Sequence, residues 1–421
     1  MSAPILKPFA ALRPAPGRAA DVVAPPYDVL SSEEARARAH GRPWSFLHVS
    51  MAEIDLEPGI DHYAPQVYAK AAENLNRMVA EGVLVRDPAP RFYVYRVARN
   101  GHVQTGIVGA ASVAEYARNR IRRHEFTKPV KEDDRVRQID ATNAQTGPVF
   151  VTHRADPEVA AVIAAATAGE PAADVTADDG VRHAVWVVED AALIDRLAAA
   201  FQGMDALYIA DGHHRSAAAA RVAAARREEA GARGGDRGGD GDGEASHDRF
   251  LVVSFPDDEV RILDYNRVVR DLNGLTRGSF LARVSEVFAI TESAGPARPQ
   301  EPHAFGMYLA GKWYCLAPRA SLPADPVGRL DISLLSDRLL TPILGVGDPR
   351  TDPRIDFVGG TRGLAALENR VDSGQWAVAF ALYPTSLEDL MAVADAGEVM
   401  PPKSTWFDPK LADGLFSLVL D

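Results

Sequence analysis

The sequence predicts an α+β fold in which mixed sheets carry helices, and three observations support it. Runs rich in β-branched and aromatic residues, among them RFYVYRVA, VQTGIVGAASV, HAVWVVE, FLVVSF and WAVAFALYP, are interleaved with segments of helical periodicity. Of the 421 residues, 47% are hydrophobic and 25% charged, the proportions of a chain able to bury sizeable cores. No window approaches the roughly 18 consecutive apolar residues of a membrane span, so no transmembrane segment is expected.

The elements follow in chain order. Pro8, Pro14, Pro16, Pro25 and Pro26 hold residues 1–30 extended, as irregular chain or edge strand. Ser31 or Ser32, followed by Glu33 and Glu34, caps a helix that runs through Ala39. Val67, Ala71, Leu75, Met78 and Val79 recur at helical spacing over 65–81, and Gly82 stops that helix. A hairpin is expected over 91–113, because Asn100-Gly101 supplies the positive φ values of a tight turn. The polar stretch 116–137 has little to bury and reads as an exposed functional loop or short helix. Residues 157–202 read as helix, loop, strand and helix, with the strand at 183–189.

A strand at 207–210 passes through Asp211-Gly212 into an Ala/Arg-rich helix of about four turns. After it, 228–248 is dense in Gly and charge and reads as a disordered surface insertion, since FLVVSF resumes at once as a buried strand. Strands are expected over EVRILDYNRVV, a hairpin over FGMYLAGKWYCLAP, and helices over SFLARVSEVF, ISLLSDRLLTPIL and LAALENRVDSG. The chain ends in strand-like SLVL, and no internal repeat is detected. At roughly 150 residues per domain, two or three subdomains are expected.

The charge balance, 46 Lys+Arg against 58 Asp+Glu for a net −12, gives no general attraction to a phosphate backbone. Small molecules are therefore the expected partners, with no nucleic acid and no membrane. The single cysteine, Cys315, excludes an intramolecular disulfide framework and a thiolate cluster. It reads as a buried small hydrophobe in a cytoplasmic protein.

Four segments could carry chemistry. In Asp211-Gly212-His213-His214-Arg215 a strand delivers the chain to the first turn of a helix, where N–H groups and the helix dipole favour an anion and three cation-capable side chains stand ready. The alternative is that Asp211 merely caps a solvated turn. Arg122-Arg123-His124-Glu125-Phe126-Thr127-Lys128, continued by Lys131 to Arg135, offers Glu125 as general base or metal ligand and Arg122, Arg123, Lys128, Lys131 and Arg135 for phosphate oxygens. It reads equally as an exposed loop laced with weak ion pairs. Pro401-Pro402-Lys403-Ser404-Thr405, followed by Lys410, presents a lysine and two hydroxyls on a stiff loop. Asp28, behind Pro25-Pro26-Tyr27, is the fourth candidate. There is no Walker-type loop, no Rossmann glycine fingerprint and no nucleophile elbow.

Taken together, PFAALRP with APPYDVLS, the His-Glu-x-Thr segment leading to Lys131-Glu132-Asp133-Asp134-Arg135, YIADGHHRSAA and the closing MPPKSTWFDPK resemble the bacterial and archaeal family called domain of unknown function 1015, over the chain 1–421. The Asp-Gly-His-His-Arg segment is also similar to the phosphate-binding turn of the ParB/sulfiredoxin superfamily, which includes free-serine kinases. That likeness implies a ParB/sulfiredoxin-like phosphate-binding core. It implies that Gly212, His213, His214 and Arg215 grip phosphates, helped by Arg123, Lys131, Arg135, Lys403, Ser404 and Thr405. Asp211 would orient the turn or a Mg²⁺ ion, and Glu125 would deprotonate a hydroxyl, so that Glu125, Asp211 and His214 form the catalytic set with ATP or ADP as cofactor.

Sulfiredoxin chemistry needs a cysteine where this motif has histidine, and the partition proteins' DNA-reading helix has no counterpart here. The implied activity is phosphoryl transfer from a nucleotide to a small hydroxylated metabolite, serine being one candidate. The alternatives are a non-catalytic nucleotide- or metabolite-binding regulator and a metal-dependent hydrolase using Asp211, His213, His214, His124 and Glu125. Adjacent helical histidines diverge by about 100°, which makes a shared metal awkward, and no metal residue is assigned.

Overall fold

The computed structural model describes residues 4–232 and 244–421. The chain forms two compact units: residues through Val260 joined by Pro409–Asp421, and Arg261–Asp408.

The first unit is built on a nine-stranded mixed sheet. Its order is Ile121–Arg122, Leu207–Asp211, Val149–His153, Arg249–Pro256, His102–Ser112, Phe92–Arg99, Arg182–Val188 and Ala173–Thr176, with Leu6–Lys7 pairing beside His102–Ser112. The hairpin at its centre is the expected one: Asn100 and Gly101 both take positive φ, 50° and 80°. Gly106 and Gly109 leave room for close approach by the neighbouring strands of the sheet, since a Cβ would lie 2.5 Å from the Ser254 carbonyl oxygen at the first and 2.9 Å from Leu6 at the second. Phe92, Val94, Ile107, Phe250 and Val252 pack with Leu197, Phe201 and Ala223 of the flanking helices into one core.

Several local expectations hold for stated reasons. Ser31 caps the helix Ser32–Ala39 with a capping box to Glu34. The amphipathic helix is Pro65–Ala80, with proline at its start. The stretch 116–137, expected as an exposed loop or a short helix, holds the strand Ile121–Arg122 and most of the helix Pro129–Thr142, which starts on Pro129 and ends on Asn143 in the left-handed region at φ 50°. The motif helix, His213–Ala232, is longer than four turns because alanine, arginine and glutamate sustain it. It therefore occupies the start of the expected 228–248 insertion. At the other end Glu244 pairs with Lys7 and Arg249, and Ser246–Asp248 form a 3₁₀ turn; residues 233–243 lie outside the described residues.

The second unit holds a wholly antiparallel six-stranded sheet, in the order Phe288–Ser293, Lys312–Pro318, Phe305–Leu309, Val378–Leu382, Tyr265–Val269 and Ile355–Gly359. Val268, Trp313, Leu367 and Ala379 belong to its core. Cys315 is exposed, contrary to expectation: Trp313 and Tyr314 take the buried positions of its strand before it, and the thiol faces outward. The segment expected as one helix over ISLLSDRLLTPIL is an α-turn, Asp331–Leu335, that widens into a π-turn, Ser336–Leu340, ahead of Pro342. Among the described residues no helix is long and apolar enough to cross a membrane.

Candidate functional site

The strands Ile121–Arg122 and Leu207–Asp211 are neighbours and run parallel, so their C-terminal ends emerge at the same edge of the sheet. Each leads into a turn and then a helix, and the two helices, Pro129–Thr142 and His213–Ala232, pack on one another. Two of the sequence-predicted clusters meet at that edge. The ladder to Val149–His153 shifts register between Ile209 and Asp211, an irregularity that re-aims the end of the strand. Gly212 then turns at φ 96°, a region closed to most side chains, and the helix hydrogen bonds begin with Ser216 N–H donating to the Gly212 carbonyl at 3.0 Å. The backbone N–H groups of His213, His214 and Arg215 precede that first bond, as in any helix start.

Asp211 is the pivot of the turn. One carboxylate oxygen accepts from Gly212 N–H at 3.0 Å; the other accepts from Lys410 Nζ at 3.1 Å and lies 3.6 Å from Arg215 Nη2. Burial pushes this carboxyl up, but Lys410 and Arg215 outweigh it and hold Asp211 below the usual carboxylate range. Arg215, with its side chain 11% exposed, also donates to the Pro148 carbonyl. Beyond it Tyr27, Arg135, Gln138, Gly147 and Asp413 help to line a small cavity of about 30 Å³. Arg135 lies 4.0 Å over the Tyr27 ring and pairs with Asp134 at 2.8 Å. Burial pushes the Asp413 carboxyl up to about 7 against the pull of Arg215 and Arg135, with Asp28 adding to the rise.

The Nε2 atoms of both histidines face backbone N–H groups of the neighbouring turn. Lys128 N–H donates to His214 Nε2 at 3.0 Å, and His124 N–H approaches His213 Nε2 at 3.5 Å, so both rings tie down the 123–128 turn. Burial lowers the pKa of both, that of His213 with help from His124. They are neutral imidazoles, and the positive charge beside the turn comes from Arg215, Lys410 and Arg135 instead. Glu125 is exposed, with Oε2 3.8 Å from His213 Nδ1. One ligand atom each from His124, Glu125 and His213 lies within 4.8 Å of the others.

Two further sequence-predicted residues lie close enough to act on the histidines, Arg123 on His213 and Lys131 on His214. Arg123 stacks over the Tyr116 ring at 5.0 Å and Lys131 over Tyr63 at 5.6 Å. Lys403, Ser404 and Thr405 belong to the second unit. There the Lys403 carbonyl accepts from Arg267 at 2.8 Å, and Ser404 Oγ donates to the Pro401 carbonyl at 2.6 Å. Mg²⁺ takes hard oxygen ligands. The Asp211 oxygens are engaged by Gly212, Lys410 and Arg215, so the turn does not fit that ion. Sequence reasoning missed Asp413 and weighed Lys410 lightly; neither shows more than an ordinary Pro-Lys or Asp-Gly pair, and only the packing of the C-terminal segment on this edge brings them in.

An α+β protein with a buried guanidinium–carboxylate cluster at the start of a long helix is thereby defined. The chain belongs to the family described as protein of unknown function (DUF1015), whose model matches residues 6–333. No curated protein matches the sequence. Among solved structures it is similar to a free serine kinase variant in complex with AMP, at 12% identity and TM-score 0.37 over 75% of this chain and 92% of that one. A conserved hypothetical protein from Pyrococcus furiosus matches at 13% identity and TM-score 0.35, over 74% of this chain and 94% of that one. SbnI with a C-terminal truncation, from Staphylococcus aureus, matches at 12% identity and TM-score 0.35, covering 72% and 82%. At such low TM-scores the function is left to the residues of the site.

Proposed function

We propose that this chain is a phosphotransferase that takes a phosphoryl group from a nucleotide, ATP or ADP, and passes it to a small hydroxylated metabolite, serine being one candidate acceptor. The observation that supports the reading is the cluster of Arg215, Lys410 and Arg135 against Asp211 and Asp413 where the motif helix begins. Cations this close to the positive end of a helix are stabilised by an anion, and their carboxylate partners are ones a phosphate can replace.

In this reading the nucleotide phosphates accept from the first-turn N–H groups and from Arg215 and Lys410. Asp211 and Gly212 hold the turn that aims those donors, and His214 positions the facing loop through Lys128. The acceptor hydroxyl gives its proton to Glu125 as its oxygen bonds to phosphorus, and the bond from phosphorus to the departing nucleotide oxygen breaks with the electron pair going to that oxygen. Positioning and charge neutralisation supply most of such a rate, so no covalent intermediate on the protein is required.

The test is calorimetric titration of the full chain with ADP and ATP, followed by ³¹P NMR of incubations with serine and other small hydroxylated acceptors. Lys410→Met is expected to weaken nucleotide binding about tenfold or more, the scale of one lost charge-assisted hydrogen bond. Glu125→Gln is expected to keep nucleotide affinity and lose product. Unchanged affinity in Lys410→Met overturns the phosphate site; nucleotide bound with no product from any acceptor overturns the transferase and leaves the binding protein.

A further inference from the structure

We infer that His124, Glu125 and His213 form a binding site for a divalent transition-metal ion of the Zn²⁺ type, at the mouth of the turn that precedes the motif helix. One ligand atom from each lies within 4.8 Å of the other two. The two rings sit at right angles, 4.5 Å between centroids, and both are buried, at 2% and 4% exposure.

The state of His124 points to a ligand. Its ring is hydrogen-bonded to the Ile209 backbone, while Nδ1 is buried with no hydrogen-bond partner. A carbonyl that takes the proton on one ring nitrogen fixes the tautomer and leaves the lone pair of the other available, which is the arrangement that orients metal-bound imidazoles. A buried nitrogen left without a partner is otherwise a destabilising feature, and an ion relieves it. The Asp211 carboxylate acts on both rings and favours a cation, whereas Arg123 opposes one at His213.

Two imidazoles and a carboxylate suit Zn²⁺ and its neighbours and not Mg²⁺ or Ca²⁺, and three protein ligands leave a coordination position open. Bonds of about 2.0–2.1 Å place the donors of a tetrahedral ion about 3.4 Å apart. Glu125 is exposed, and its Oε2 lies 3.8 Å from His213 Nδ1, close to that spacing. His214, the adjacent histidine, is excluded from the set, in keeping with the divergence of neighbouring helical side chains. Were the ion bound, Glu125 would serve as a ligand, and a hydroxyl on the open position would be acidified by the metal and would lose its proton to solvent.

The ion is measured without nucleotide, so the result is independent of the phosphate reading. The full chain is stripped with a chelator and titrated with Co²⁺, following the visible absorption of the bound ion, then with Zn²⁺ as competitor and excess Mg²⁺ as control. One equivalent of Co²⁺ is expected, displaced by Zn²⁺ and not by Mg²⁺. Glu125→Gln, at an exposed position, is expected to weaken binding at least about tenfold, and His124→Gln likewise. Arg215→Gln, which weakens a phosphate site, keeps the metal. Absence of saturable binding, displacement by Mg²⁺, or parental affinity in Glu125→Gln overturns the site.

Discussion

Two arginines, one in each unit, are held in opposite ways. Arg267, in the antiparallel sheet of the second unit, is 2% exposed; its donors go to the backbone carbonyls of Tyr265 and Lys403, and its guanidinium lies 5.3 Å from the Phe357 ring. Burial pushes its pKa down to about 9, with only Tyr265 pulling the other way. Arg215, in the mixed sheet of the first unit, is raised despite burial, because Asp211, Asp28, Tyr27 and Asp413 act on it. A guanidinium satisfied by carbonyls and ring faces is part of the frame. One satisfied by carboxylates sits where an incoming anion can exchange for them. The difference follows from topology: antiparallel neighbours run strand ends into each other's turns, whereas the parallel pair Ile121–Arg122 and Leu207–Asp211 brings two turns and two helix starts to one edge.

The largest effect expected on this contrast concerns the frame of the second unit. At Gly306 an added Cβ would lie 1.9 Å from the Ala297 carbonyl oxygen, so Gly306→Ala is expected to lose about 3 kcal/mol or more in chemical denaturation. Nucleotide affinity below the transition should be kept; loss of affinity without loss of stability would break the contrast.

A smaller effect concerns pH in the first unit. Asp413 has a folded pKa of about 7, above its ordinary 3.8, so its contribution to stability is complete below the ordinary value and is lost as pH rises through the folded one. Stability is expected to fall by about 2 kcal/mol between about pH 5 and pH 7, and Asp413→Asn should flatten that slope. Neutral Asp413 also repels an anion less, so nucleotide binding should tighten as pH falls through about 7. An identical pH profile in Asp413→Asn would show that the cluster does not hold this carboxyl as described.

The smallest stability change is expected at Gly212, where the φ of 96° is unfavourable for alanine and a Cβ would come 3.0 Å from Arg215 Nε. Gly212→Ala should cost about 1–2 kcal/mol in stability. It should also lower nucleotide affinity severalfold, whereas parental affinity at reduced stability would make this glycine a matter of backbone alone.

The two arginines also mark how far the sequence could be read. Local signals carried the hairpin at Asn100-Gly101, the cap at Ser31, the helix beginning at Pro65 and the strand-to-helix passage at Asp211-Gly212, because each depends on neighbours a few residues away. The parallel pairing of 121–122 with 207–208, and the arrival of Tyr27, Lys410 and Asp413 around Arg215, depend on residues far apart in the chain and leave no local pattern. Neighbours bear on the histidines too: His213 and His214 suggested phosphate contacts as side-chain donors, whereas burial lowers the pKa of both and sets their Nε2 atoms against the backbone of the 124–128 turn. Cys315 departs from the expectation because Tyr314 and Leu316, on either side of it, take the buried positions and leave the thiol exposed with Ala317.

The most direct measurement titrates ADP into Arg215→Gln and Arg267→Gln beside the parent chain, with thermal denaturation of each. The account predicts that Arg215→Gln, measured below its own transition, loses at least about tenfold in ADP affinity, and that Arg267→Gln loses stability and keeps its affinity while folded. Equal ADP affinity in the parent and Arg215→Gln would contradict it.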